Sequence, residues 1–150
     1  MALPIPLRIW TWALAARPLK HVLPLPFLVR IASATARRSA TAERRAAVER
    51  RLAAYLVRRG PFPARPPGNC LERSLGAYRV LCSLGADVRL VIGIRPRDAG
   101  VDGHVWVVLD GKPFAEAGDV DTYARIVAFD ARGRREGTGP SADLRGVRWA

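Results

Sequence analysis

A thiol, an imidazole and a carboxylate stand in that order along this chain, each in a setting that suits acyl chemistry. Cys70 opens a helix-like run, Asn69-Cys70-Leu71-Glu72-Arg73-Ser74-Leu75. His104 lies in a strand-like run, Gly103-His104-Val105-Trp106-Val107-Val108, and Glu116 follows a glycine-containing turn. A thiol must lose its proton to attack a carbonyl, and both a helix N-terminus and a neighbouring imidazole favour the thiolate. The imidazole needs an acceptor that fixes its tautomer. With only two cysteines and two histidines in the chain, few other pairings compete. Taken singly, each residue has a plainer reading: a small buried thiol, a hydrogen-bonded core histidine, a surface carboxylate paired with an arginine. Their joint order argues for a Cys70–His104–Glu116 triad. Asp119 and Asp110 are the alternative acids.

The elements that must position these groups are legible. Gly60 to Gly68 holds four prolines and reads as an extended connector that delivers the chain to Asn69. Leu71, Leu75, Tyr78 and Leu81 or Cys82 form the apolar stripe of a helix that Gly85 ends. Cys82 lies in mid-helix, without help from the dipole, and reads as packing. Val88 to Ile94 is a β-branched strand with Gly93 inside it, Arg95 to Gly103 a polar loop, and Val101 or Gly103 to Leu109 a second strand. Pro113 to Glu116 is expected as a third strand. A strict two-residue turn at Asp110-Gly111 would set His104 opposite Ala117. A three-residue loop, Leu109-Asp110-Gly111, would instead pair Val108 with Lys112, His104 with Glu116 and Trp106 with Phe114. That second register unites the His–carboxylate pair with an aromatic pair and is the expected one. Ile126 to Phe129 reads as a short strand and Asp130 to Arg145 as a loop.

Residues 1–59 read as helical. Between Thr41 and Arg59, the positions Ala46, Val48, Leu52, Tyr55 and Leu56 share one face, Thr41 is the expected N-cap, and Gly60-Pro61 ends the helix. Glu49 is within reach of Arg45. The first 34 residues are apolar, but Arg8, Arg17, Lys20, Arg30 and five prolines interrupt them. No stretch there approaches the roughly 18 uncharged apolar residues of a transmembrane span, and the segment is expected to be short helical pieces packed on the rest. Peripheral membrane contact through Trp10, Trp12 and the basic residues is the minor alternative.

The 150 residues suffice for one domain, and the formal charge of +12 is unusual. Arginine supplies nearly all of it, since Lys20 and Lys112 are the only lysines. The excess is either a compositional bias or a match to an acidic partner. A non-catalytic basic module for nucleic acid or membrane is the rival from another class. No nucleic-acid motif and no interleaved stacking aromatics accompany the arginines, so no nucleic-acid partner is expected. Two cysteines give no disulfide framework, and no Cys/His cluster suggests zinc. The expectation is therefore no cofactor, no metal and a cytoplasmic location.

The runs Cys70–Leu75, Gly85, Val88–Gly93 and Gly103–Val107 together resemble the transglutaminase-like leader peptidases of lasso peptide biosynthesis, known as B2 proteins or as the C-terminal part of the fused B protein. The resemblance covers about residues 68–130. It implies an α+β papain/transglutaminase-like cysteine protease core, a helix bearing the cysteine packed on an antiparallel sheet, with an α-helical N-terminal extension. The expected division is a helical region, 1–60, that packs on the core or recruits partners to it, and a peptidase core, 61–150. Carried over, Cys70 is the nucleophile, His104 the general base and Glu116 the acid, where relatives commonly have Asp. The relatives' Ala-Trp-Val-Glu after the histidine appears here as Val105-Trp106-Val107-Val108. Trp106 and Asn69 are the candidate substrate-binding residues. The implied reaction is removal of the leader from a ribosomally made precursor peptide, with a separate leader-binding recognition protein and a lasso cyclase as partners. An acyl transferase, passing the acyl group to an amine instead of water, is the nearest alternative.

Overall fold

The computed structural model describes residues 4–34, 39–57, 69–98, 100–116, 118–136 and 148–149. Four helices come first among the main elements: α1 (Ile5–Val22), α2 (Leu25–Ser33), α3 (Ala42–Val57) and α4 (Cys70–Ser83). The strands β1 (Val88–Arg97), β2 (Gly100–Leu109), β3 (Lys112–Pro113), β4 (Ala124–Phe129) and β5 (Arg135–Glu136) follow, with a 3-10 turn at Val120–Thr122. They form one sheet in the order β3-β2-β1-β4-β5, and β6 (Arg148–Trp149) adds a parallel pair to β2. The path from β3 to β5 is antiparallel throughout.

The apolar N-terminus makes two helical pieces, α1 and the shorter α2, both packed on α4, and the first is longer than its prolines suggest. Pro4 and Pro6 fit its beginning, where the first N–H groups have no intrahelical partner anyway. Pro18 sits inside α1 on its exposed side, where water can satisfy the carbonyl that loses its donor. The inward side of α1, Ile9, Ala13 and Ala16, is fully buried against α4. Small residues permit the close approach: a Cβ added at Gly76 of α4 would lie 3.2 Å from Ile9. The Thr41 hydroxyl accepts from the Arg44 N–H at 3.3 Å, capping α3 as expected, and Arg45 pairs with Glu49 at 2.6 Å. The proline-rich connector and the Gly60-Pro61 stop lie outside the described residues.

Helix α4 carries more than the expected stripe. Cys70, Leu71, Glu72, Ser74, Leu75, Gly76, Ala77, Tyr78, Val80, Leu81 and Cys82 are all buried. The helix lies between α1 and α2 on one side and strands β1 and β2 on the other. Its burial on both sides explains why it is apolar well beyond one face. Ser74 Oγ donates to the Val105 carbonyl at 2.8 Å, bolting the helix to β2. Neither Cys70 nor Cys82 is in a disulfide, and Cys82 is buried with the core as its mid-helix position suggested.

The expected polar loop between β1 and β2 is mostly strand. Pairing runs from Val88–Leu109 out to Arg97–Gly100, so the two strands form a long hairpin. Along β2, Val105, Val107 and Leu109 enter the main core, whereas Trp106 and Val108 join Val91 and Val120 in a smaller cluster. The two-residue period of a strand produces this division. Arg135 and Glu136, expected in a loop, pair with β4.

Candidate active site

Asn69 and Glu72 build the start of α4 on which Cys70 stands. Asn69 has extended backbone angles, and its side-chain oxygen accepts the Glu72 N–H at 3.2 Å, which is N-capping geometry. Glu72 does not complete a reciprocal capping box. Its carboxylate is 3% exposed and turns to α1, 2.8 Å from Lys20 Nζ and 3.4 Å from Arg17 Nε. The N-terminal helix is thereby latched to the turn of α4 that carries Cys70. The pattern Asn-x-x-Glu was visible in the sequence, but the two cations that hold Glu72 were not.

His104 receives two partners. Its Nε2 lies 3.0 Å from Glu116 Oε2, and the Cys70 side chain is near enough to be the largest influence on its protonation. The Cys70 side chain first, and then the Glu116 hydrogen bond, push the imidazole pKa up to about 9 against the opposing effect of burial. The ring is therefore cationic at neutral pH, and its Nε2–H donates to Glu116.

The route by which Glu116 reaches His104 differs from the expected one. The register is Leu109–Lys112 and Val108–Pro113, the strict two-residue turn, with Asp110 at φ 48° and Gly111 at φ 80°. Both central residues are left-handed, as a type I′ hairpin turn requires. In that register Glu116 does not stand opposite His104. Strand β3 ends at Pro113, the Phe114 N–H still bonds the Val107 carbonyl at 2.8 Å, and Ala115 then turns left-handed at φ 54°. This turn takes Glu116 out of the ladder and brings its carboxylate to the imidazole. The expected three-residue loop, the Trp106–Phe114 pair and a strand reaching Glu116 are all replaced by a short strand and a bend.

The alternative acids stand elsewhere. Asp110 is exposed in the hairpin turn and paired with Arg45 of α3. Asp119 is exposed and caps the 3-10 turn, accepting the Asp121 N–H at 3.0 Å. Trp106, expected as a substrate-binding residue, has no exposed surface. It packs beside His104 instead, with ring centroids 5.9 Å apart and planes 17° from parallel. A small cavity of about 30 Å³ adjoins the carboxylate, lined by Arg73, Ser74, Ala77, Phe114, Ala115 and Glu116 among others. No group of three or more metal-ligating side chains occurs among the described residues.

A cysteine on a capped helix start, a histidine on the facing sheet and a carboxylate at its ring are groups of the kind that thiol-based acyl transfer uses. The chain belongs to the transglutaminase-like superfamily, whose family model matches residues 10–128. That fold generally carries cysteine protease or acyltransferase chemistry. The match takes in α1 from Trp10 onward as well as the sheet through Ala128. Comparisons with curated proteins and with solved structures gave no match.

Proposed function

We infer that this protein is a cysteine peptidase that removes the leader from a ribosomally made lasso peptide precursor, with Cys70, His104 and Glu116 as its triad. The observation that carries the reading is the 3.0 Å contact of His104 Nε2 with Glu116 Oε2, beside a cysteine at a capped helix start that is the largest influence on the imidazole. The leader specificity rests on the sequence resemblance around residues 68–130.

The chemistry follows from the geometry. Cys70 Sγ attacks the carbonyl of the leader–core peptide bond, and the oxyanion forms beside the Cys70 backbone N–H at the positive end of α4. His104, cationic through its two partners, gives a proton to the departing core-peptide amine as the C–N bond breaks. The leader stays on sulfur as a thioester. His104, now neutral, takes a proton from water as the water attacks the thioester; the C–S bond breaks, the sulfur leaves beside the imidazolium, and the leader departs as a carboxylic acid that gives its proton to solvent. Glu116 orients the ring and balances its charge at both stages.

A leader-binding protein and a lasso cyclase are the expected partners, and the cytoplasm the expected site of action. Among the described residues, no helix is long and apolar enough to cross a membrane. The deciding experiment incubates a lasso-type precursor with the protein and its leader-binding partner and follows the mass of the products. Cleavage at a single leader–core bond by the wild type, and none by Cys70→Ala, supports the peptidase and its nucleophile together. An intact precursor in both, with the partner demonstrably bound, overturns the reading; an amine-linked leader in place of a free carboxylate would make the enzyme a transferase.

A further inference from the structure

Beside the triad lies a second set of side chains, centred on Tyr123, that the mechanism above does not use. Tyr123 follows the 3-10 turn and precedes β4, and its ring centroid is 5.2 Å from that of His104 at 35°. Trp106 stacks on the same imidazole at 5.9 Å, and the Trp106 and Tyr123 rings are 6.3 Å apart. His104 is therefore held by two aromatic rings as well as by its hydrogen bond with Glu116.

Gly93 makes the arrangement possible. It pairs directly with His104 across the β1–β2 ladder, and the β1–β4 register shifts between Ile92 and Gly93. A Cβ at Gly93 would lie 2.9 Å from the Trp106 ring and 2.9 Å from Tyr123 Cβ. Real Cβ atoms do not approach that closely, so the two aromatics fill the space a side chain would occupy. Tyr123 is also tied down. Its hydroxyl donates to Asp102 Oδ2 at 3.1 Å, and Arg95 holds the same oxygen at 2.9 Å with Arg97 at 3.4 Å. The Arg95 guanidinium lies 4.5 Å from the Tyr123 ring centroid. Asp102 is 5% exposed. Burial alone would raise its pKa, but the hydrogen bonds from Arg95 and Tyr123 and the charge of Arg97 outweigh burial and hold it below the ordinary carboxylate value.

We propose that Tyr123 and Trp106 are positioning residues that clamp the His104 ring and favour its cationic form, in a space left by Gly93 and with Tyr123 anchored by Asp102. The physical basis is the negative face of an aromatic ring, which attracts a cation placed against it. The charged and titratable groups around His104 are Cys70 from α4, Glu116 after β3, Tyr123 before β4, and Arg95, Arg97 and Asp102 beyond Tyr123 on the β1–β2 hairpin. The inference rests on the triad reading for its catalytic meaning. Its physical content can be measured without any substrate.

The test is an imidazole NMR titration of the full chain, assigned against His21 with a His104→Gln variant, alongside the pH dependence of Cys70 alkylation by iodoacetamide read by peptide mass spectrometry. Tyr123→Leu is expected to lower the His104 midpoint by about half to one unit, the size of a partly desolvated cation–π contact. It should also move the alkylation profile of Cys70. Tyr123→Phe keeps the ring and loses only its hydrogen bond to Asp102, so it should give a smaller shift in the same direction, and Gly93→Ala should displace both rings and resemble Tyr123→Leu. An unchanged His104 midpoint and alkylation profile in a folded Tyr123→Leu variant overturns the clamp. Should that variant not fold, unchanged values in both Tyr123→Phe and Gly93→Ala overturn it equally. A wild type that titrates as expected yet cleaves no precursor would remove the peptidase reading and leave the clamp standing.

Discussion

Lys20 of α1 holds the buried carboxylate of Glu72 at 2.8 Å, two residues beyond the thiol-bearing Cys70. The pair joins the first helix to the turn of α4 on which acyl chemistry would occur. It also buries a charge. A carboxylate with 3% exposure and no cation would be left with its full desolvation cost. Arg17 remains as a second, more distant and half-exposed partner. Lys20→Met should therefore cost about 2 kcal/mol, in the range of a lost charged hydrogen bond. Glu72→Gln, which removes the charge and keeps the shape, should cost less. Urea denaturation of the two variants checks the order, and a Lys20→Met chain as stable as the wild type would show that the latch contributes nothing.

The partners of His104 set a pH dependence whose sign is fixed. The imidazole pKa is raised from 6.5 to about 9, first by Cys70 and then by Glu116. Its contribution to stability is fully present below about pH 6.5 and is lost as the pH rises through about 9. Activity that needs the imidazolium as proton donor falls over the same alkaline limb. Glu116→Gln removes the second cause, so both the His104 midpoint and the alkaline limb should move to lower pH. An unmoved midpoint in that variant would separate Glu116 from His104.

Ala115 makes the bend that delivers Glu116. A β-branched residue is disfavoured at φ 54°, and Ala115→Val should cost about 1–2 kcal/mol while shifting the His104 titration toward that of Glu116→Gln. Ala115→Gly accepts the conformation and should leave the titration unchanged. Identical titrations for the valine variant and the wild type would mean that the bend does not control the carboxylate.

Asn69 acts on α4 through its side-chain oxygen. Asn69→Ala should cost about 1 kcal/mol, and Asn69→Asp or Asn69→Ser should restore most of it, because each keeps an acceptor for the Glu72 N–H. Thermal unfolding reads the series; a drop of about 2–4 °C is expected for alanine in a chain of this size. Failure of aspartate and serine to rescue would assign Asn69 a role other than capping.

The sequence by itself determined the order and type of the elements that carry the site. A helix starting at Cys70 and ending at Gly85, β-branched strands on either side of a turn, and a glycine inside the first strand follow from local rules of propensity, period and turn chemistry. The three residues of the candidate triad were legible for the same reason, since each sits at a recognisable local position. Tertiary structure alone decided how Glu116 meets His104. The sequence favoured a cross-strand register, whereas a left-handed Ala115 after a two-residue strand supplies the contact, and no local pattern announces that a strand will stop there. It alone decided the place of Trp106, because strand alternation shows which side a ring takes but not whether Gly93 and Tyr123 will bury it beside His104. It alone found partners for Glu72 and Asp102, carboxylates whose cations come from another helix and from a neighbouring strand. Local sequence fixes backbone conformation through short-range sterics and hydrogen bonding; burial and ion pairing depend on segments far apart in the chain, which only the packed fold brings together.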